Sequence, residues 1–442
     1  VQRLAATGAA LALAAVAIRV QNAWRYPADW GFDASFNWRY IYRLTQEWTL
    51  PPPHAGWSTS DPPLYFYAAA AVWRGLAALS ARDAVVVVLP LLSALLGLGV
   101  VALAVALVRR AAPPDPLRAA LAGLLLLYLP AHLHMSVMVN EEMLSALLGS
   151  AAVFGLALRE PGAPQPRSAA GVGLASGLAL LTKLSGALTV ASAALTYAWD
   201  ARAPAVRTRA LACCATLLGV ALVVGGWFPA RSLLATGSAQ PVGLPAHLRM
   251  LELPPGTRSL GDYLRVPLAT FHDPQLLHPD LLRSVWGSTY ATVWFDGHRY
   301  FLPRESRGVR WLGSATLVLA LLPTAAFCAG LARGAVRVRR GTGAPDLPLL
   351  LLTGITLAGY AFYTWRNPWF VVLKGTSLLG LSLPFAYYAS ETLAGWLRGR
   401  LRAAVAAALL ALAVCVAASC TFGLVFTKTE VSGLPWPPAE AR

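Results

Sequence analysis

Apolar runs of about 17 to 25 residues, each long enough to cross a ~30 Å hydrocarbon core as a helix, recur along the whole chain and hold few internal charges. A chain built this way has to satisfy its backbone inside helices, so the expected fold is an all-α membrane bundle. The composition agrees: 57% of the 442 residues are hydrophobic and 13% charged, and the mean hydropathy is +0.56, outside the range of soluble domains. The net charge of +16 would suit nucleic acid. However, the arginines stand in short clusters between apolar runs, not on a stripe interleaved with aromatics, and this argues against nucleic-acid binding.

Those clusters set the orientation, because short cytoplasmic loops are enriched in Lys and Arg. Arg109, Arg110 and Arg118 mark one loop, Arg159 and Arg167 a second, and Arg202, Arg207 and Arg209 a third. Arg333, Arg337, Arg339 and Arg340 mark the fourth, and Arg398, Arg400 and Arg402 the fifth. Placing all five on the cytoplasmic side requires that residues 64–79 not cross the membrane, so this stretch reads as a juxtamembrane helix. The spans are then expected near 4–20, 84–108, 117–138, 142–158, 169–182, 184–199, 210–229, 311–332, 347–365, 375–396 and 403–426. About eleven spans place the N-terminus inside and the C-terminus outside.

The reading is of one polytopic unit over 1–442, with no internal repeat, Gly/Ser linker or separate soluble domain. Two long connections fall on the outer side, 21–63 and 230–310, and connections of this length are usually functional or disordered. Their density of Trp, Tyr and Pro, as in "RSVWGSTYATVWFDGHRYF", points to ordered, juxtamembrane structure. The chain lacks an initiator methionine, so a slightly truncated first span is expected; the alternative, a cleaved signal peptide, lacks a clean small-x-small site. Cys213, Cys214, Cys328, Cys415 and Cys420 all lie in expected spans and suggest neither disulfides nor a thiolate metal site. "FHDPQLLHPD" brings together His272, Asp273, His278 and Asp280, residue types that can hold a divalent metal, but the spacing matches no known ligand set and an ordinary solvated loop is favoured.

Charges near membrane spans are costly and mark cavities or pathways. Here they gather on the outer side: Asp33 and Asp61 in the first outer loop, Glu141 and Glu142 at the start of a span, Lys183 between two short apolar segments, Arg231 after the seventh span and Lys374 at the opening of the tenth. Lysine occurs otherwise only at Lys428, which gives Lys183 and Lys374 weight. Each has a structural alternative. Asp33, helped by Ser35, could cap a helix over 34–47, the glutamates could cap the helix they begin, and the cations could be snorkelling anchors. None of these explains why acids from two segments and cations from three others share one side. Such a cavity suits transfer of a sugar from a lipid phosphate, with a carboxylate taking the acceptor's proton and cations stabilising the phosphate leaving group.

On "FDASFNWRYIYRL", Leu50–Pro51, "PPLYFY" at Pro62 to Tyr67, "VNEEML", "GLASGLALLTKLSG" and Trp227-x-x-x-Arg231, the chain resembles the GT-C glycosyltransferases. This polytopic class uses polyprenyl-phosphate sugars and includes protein O-mannosyltransferases and lipid A aminoarabinose transferases. The resemblance implies that Asp33 is the catalytic carboxylate and that Glu142 or Glu141 is the second acid. Consecutive helix positions differ by ~100°, so only one of the two is expected to face the site. It further implies that Lys183, Arg231 and Lys374 contact the donor phosphate and that Asn37, Asp61 and Tyr65 line the cavity. This sequence departs from relatives in that Asp33 is followed by Ala34, Asn37 stands at a His-like position, and Asp61 precedes Pro-Pro-Leu where relatives carry a basic or neutral residue. Asp61 removes one expected phosphate contact and leaves a divalent metal open.

The expected function is an inverting membrane glycosyltransferase acting on the outer face. Its donor is a polyprenyl-phosphate sugar, its acceptor a lipid, glycan or protein, and membrane lipids surround it. The arginine- and alanine-rich composition suggests a high-GC bacterial cytoplasmic membrane. The alternatives are a secondary transporter, which would carry paired halves and charges at mid-membrane, and an inactive relative that binds lipid-linked sugars.

Overall fold

The computed structural model describes residues 2–240, 255–272, 274, 278–302 and 307–422. Asp273 and the end of the expected last span, 423–426, lie outside the described residues. Among the described residues the regular structure is helical, with one isolated β-bridge between Pro255 and Trp369.

Helix α1 (Gln2–Arg25) leads into α2 (Ala34–Glu47) and α3 (Leu64–Ala78), which pack on each other through Trp38, Trp73, Tyr40 and Phe66. Tyr65, Phe66, Ala69, Ala70 and Trp73 of α3 are buried in this cluster. Then follow α4 (Val85–Ala111), α5 (Pro116–Leu127), the short α6 (Pro130–Met135) and α7 (Glu142–Ala157). The stretch 117–138, read from sequence as one span, divides here because Pro130 opens a new helix at its first position. The residue before a proline avoids the α conformation, and Leu129 is extended, with ψ 112°.

Helices α8 (Pro166–Thr182) and α9 (Gly186–Asp200) form a hairpin with Lys183 at its tip. The hairpin seats against α10 (Arg207–Ala221) through a G-x-x-x-G stripe. A Cβ on Gly173 would lie 2.7 Å from the Leu217 carbonyl, and one on Gly177 2.9 Å from the Ala221 Cα. Small residues at this spacing let membrane helices approach at backbone distance. A π-helical turn, Leu222–Gly226, joins α10 to α11 (Trp227–Thr236).

The second long connection contains α12 (Gly261–Leu264), α13 (Ala269–His272), α14 (Pro279–Leu282) and α15 (Val285–Trp294). The chain ends in α16 (Arg307–Arg339), α17 (Asp346–Arg366), α18 (Ser382–Arg398) and α19 (Arg402–Cys420). Within the described residues every expected span coincides with helical sequence, and among those residues seven helical stretches are long and apolar enough to cross a membrane. The remaining four, α5, α7, α8 and α9, have 12 to 17 residues.

The arginine-rich loops meet at one end. Arg159 pairs with Asp200 at 2.7 Å and donates to the Ala344 carbonyl at 3.1 Å. Arg398 pairs with Asp115 at 2.6 Å, and Arg337 with both Asp346 and Glu391, at 2.7 and 2.8 Å. These contacts join all five loops or their flanking helix ends, as the charge rule anticipated. The helices that leave this end carry Glu142, Lys183 and Lys374 at the opposite one.

Candidate active site

The turn between α1 and α2 is built around Gly31 and Asp33. Gly31 has φ 114°, and a Cβ there would lie 2.6 Å from the Met138 sulfur. Asp33 itself has φ 55°, unusual for a residue other than glycine although Asp tolerates it best. It occupies the N-cap position of α2, yet its side chain makes no cap hydrogen bond. Instead Lys374, 341 residues further along, donates to Asp33 Oδ2 at 2.7 Å, and the Trp57 indole also hydrogen-bonds the carboxylate. Burial pushes this carboxyl up, but Lys374 and, further off, Lys183 outweigh it and hold Asp33 below the usual carboxylate range.

The glutamates are not caps either. Glu141 precedes α7 and Glu142 opens it; the Glu141 side chain makes no cap hydrogen bond, and it is Asn140 Oδ1 that accepts from the Glu142 amide at 3.0 Å. Both carboxylates accept from Lys183 Nζ, at 2.9 and 2.6 Å. The expectation that only one would face the site is corrected: Glu141 lies before the first full turn, where the 100° step of the helix has not begun, and an ammonium can serve both. Thr376 donates to Glu142 at 3.5 Å. Below Glu142 a narrow crevice of about 30 Å³ descends between α7, α9 and α17, lined by Ser145, Ser185, Thr189, Thr356 and Ser377.

Asp61 faces the same group of charges without an ion pair among the described residues. Burial and Glu141 push its carboxyl well above the usual range, Asp33 adding to the push and Lys183 and Lys374 opposing it. The native protein therefore holds a proton that the unfolded chain has released. The group's contribution to stability is complete below the unfolded value of about 3.9 and is lost as pH rises toward the native value. Asp61→Asn removes that loss, so its unfolding midpoint relative to wild type should be higher at pH 8 than at pH 5; an equal offset at both would contradict this account.

The other expected site residues make contacts outside the ion pairs of this cluster. Asn37 is buried, donating to the Val139 carbonyl at 3.2 Å and accepting from Ser58 at 2.7 Å, so it ties α2 to the segment before α7. Tyr65 is buried in the α2–α3 aromatic cluster, within hydrogen-bonding reach of Ser93 and electrostatic reach of Glu141. Arg231 donates to the Pro51 carbonyl at 2.8 Å and lies 6.0 Å over Phe228, clamping the first outer loop to α11. In "FHDPQLLHPD", His278 accepts from the Asp280 amide and Asp280 pairs with Arg265 at 2.8 Å. Among the described residues no group of three or more His, Cys, Asp or Glu side chains is placed to hold a metal.

Sequence reasoning missed His298, in the loop after α15. Its ring meets Phe32 edge-on at 4.6 Å and stacks with Tyr300 at 6.0 Å, and Lys374 sits 5.1 Å over the Phe32 ring. The available signal was "WFDGHRY", a turn followed by a histidine among aromatics, which was read as cover and not as chemistry.

Four carboxylates and two ammonium groups, drawn from five segments, cluster at the end of a helical bundle opposite its arginines in a polytopic membrane protein. The fold is of the GT-C type. Residues 77–210, spanning α4 to α9 and including Glu141, Glu142 and Lys183, match the family model of dolichyl-phosphate-mannose-protein mannosyltransferases. The structure resembles the Archaeoglobus fulgidus oligosaccharyltransferase in complex with Zn and sulfate, at 16% identity and TM-score 0.52, covering 94% of this chain and 53% of that one. The same enzyme tethered with an acceptor peptide gives 16% identity, coverage of 96% and 56%, and TM-score 0.50. ArnT from Cupriavidus metallidurans bound to undecaprenyl phosphate gives 15% identity, coverage of 90% and 80%, and TM-score 0.40. The chain thus spans little more than half the length of the oligosaccharyltransferase. A search of curated proteins finds no match.

Proposed function

We propose that this protein is an inverting membrane glycosyltransferase that moves a sugar from a polyprenyl-phosphate donor to an acceptor hydroxyl or amine at the outer face of a bacterial cytoplasmic membrane. The observation that carries the reading is the Asp33–Lys374 contact of 2.7 Å beside the Glu141–Lys183–Glu142 triad. In this reading Asp33 supplies a carboxylate base, and Lys374 and Lys183 supply two cations close to it. The match of residues 77–210 to dolichyl-phosphate-mannose-protein mannosyltransferases supports the donor class and makes a protein one acceptor to test.

In this reading Asp33 removes the acceptor proton. The acceptor atom attacks the anomeric carbon from the face opposite the phosphate, and the bond from that carbon to the phosphate oxygen breaks, its electron pair leaving on a phosphate held by Lys374 and Lys183. The described residues do not form a metal-ligand set, so no step is assigned to a metal. The transporter alternative is disfavoured because the charges lie at one end of the bundle and not at its centre.

Purified protein in lipid should transfer radiolabelled sugar from at least one member of a polyprenyl-phosphate sugar panel, mannose included, to a peptide or lipid acceptor. A chelator arm reads any metal requirement directly. Absence of transfer across the panel, with binding of every donor also absent, would end this reading.

A further inference from the structure

The site contains two oddities. Asp33, the proposed base, is neutralised by the same lysine that is proposed to receive the phosphate. Beside this pair stands an imidazole with both nitrogens buried, and among the described residues neither Nδ1 nor Nε2 of His298 has a hydrogen-bond partner. Buried polar groups without partners are uncommon in native structures and each one calls for a reason.

The loop that carries His298 is firmly built. Asp296 accepts from the amides of Tyr300, Phe301 and Leu302 at 2.7 to 2.9 Å. Trp30 donates to the Tyr300 carbonyl at 3.1 Å, and Tyr26 stacks on Phe301 at 4.4 Å. The same contacts bind this loop to the turn that presents Asp33. His298 is therefore held against Phe32, the residue before Asp33, and within electrostatic reach of Asp33 and Lys374, by a built loop and not by a loose segment.

We propose that His298 is a positioning residue that takes over Asp33 when donor binding draws Lys374 to the phosphate. This deepens the proposed function and rests on it. In the resting protein the ammonium of Lys374 keeps Asp33 ionised but weakly basic. Once Lys374 pairs with the donor phosphate, Asp33 is left facing the imidazole, whose neutral N–H donates to the carboxylate and aims it at the acceptor. Exchange of a cationic partner for a neutral one makes the carboxylate more basic, so the base strengthens only when donor is bound.

The groups facing this hand-over are Lys374 ahead of α18, Lys183 at the α8–α9 tip, Asp61 before α3, Trp57 in the first outer loop and Tyr300 in the histidine's own loop. Burial, with Lys374 assisting, pushes the imidazole pKa down to about 3. With Lys374 on Asp33, His298 is thus neutral and carries an N–H it can donate.

The test combines kinetics with a binding readout. For wild type, the acid limb of kcat, which reports the bound state, should lie at higher pH than the acid limb of kcat/KM, which reports the free enzyme. His298→Phe keeps the aromatic packing and removes the donor. It should lower kcat by about 10- to 100-fold, shift the acid limb of kcat upward, and leave the limb of kcat/KM and the donor KM within about twofold. His298→Gln, which restores an N–H, should recover part of the rate. Wild-type kinetics in the Phe variant would overturn the proposal.

A second measurement is independent of turnover. Protein labelled with ¹⁵N-histidine in lipid nanodiscs is titrated with undecaprenyl phosphate, the His298 resonance being assigned by its absence in the Phe variant. A hydrogen-bond shift on binding supports the hand-over, even if no sugar is transferred and the transferase reading falls. Bound lipid without a shift overturns the hand-over while leaving the transferase reading intact, and absence of lipid binding removes both.

Discussion

Replacing Asp33 by asparagine is expected to reduce sugar transfer by about 10²- to 10⁴-fold, the range spanned by loss of a positioned general base. In free-energy terms that is about 2.7 to 5.5 kcal/mol at the transition state. The amide is nearly isosteric, and its oxygen can still accept from Lys374 and Trp57, so the turn at Gly31–Asp33 should persist. Lys374, however, loses its counter-ion and becomes available to the donor phosphate. The variant should therefore bind donor at least as tightly as wild type while failing to turn it over, a split between KM and kcat that separates loss of the base from loss of the fold. Wild-type activity would show the proton leaving by another route. In the wild-type enzyme, Lys374 holds the Asp33 pKa down. The base form should consequently survive to pH values below those of an ordinary carboxylate, and kcat/KM should hold up correspondingly far into acid.

The largest stability effect is expected at Lys183. Its ammonium sits between Glu141 and Glu142, whose side chains are 11% and 12% exposed. Lys183→Met leaves two adjoining, largely buried carboxylates without the ammonium that bonds both. Breaking a buried ion pair from one side typically costs about 3–5 kcal/mol, because the remaining charge is uncompensated. Combining Lys183→Met with Glu141→Gln and Glu142→Gln should return most of that loss, since no buried charge is then left over. Thermal unfolding in detergent distinguishes the cases: a single variant as stable as wild type would mean that the carboxylates find water or protons cheaply and that the triad is not a buried unit.

Much of this architecture was legible in the sequence. Helix α2 was expected over 34–47 and occupies Ala34–Glu47. The five arginine loops were assigned to one side by charge alone, and their residues meet there through Arg159–Asp200, Arg398–Asp115 and Arg337–Asp346. Hydropathy and charge asymmetry act along the chain over distances that a sequence reading can see. The division of 117–138 at Pro130 was also visible in principle, but a continuous apolar run masked it.

The partnerships inside the site were not legible. Asp33 meets Lys374 across 341 positions, and Glu141 meets Lys183 across 42. No local pattern encodes which acid finds which lysine, and Arg231, given the same weight as the lysines, reaches the Pro51 carbonyl instead. His298 was missed for a related reason: its significance lies in the Asp33 turn brought against its loop by Trp30 and Tyr26, not in its own neighbours along the chain.

At the arginine-rich end, Glu391 is shared by Arg118, Arg333 and Arg337, at 3.7, 3.6 and 2.8 Å, binding α5, α16 and α18 to one another. The cost of withdrawing charges from water falls as temperature rises, so this knot tightens relative to the apolar contacts on warming. Heat should therefore loosen the molecule from the opposite pole, the one that holds the Asp33–Lys374 pair, and the arginine-rich end should be the last part to come apart.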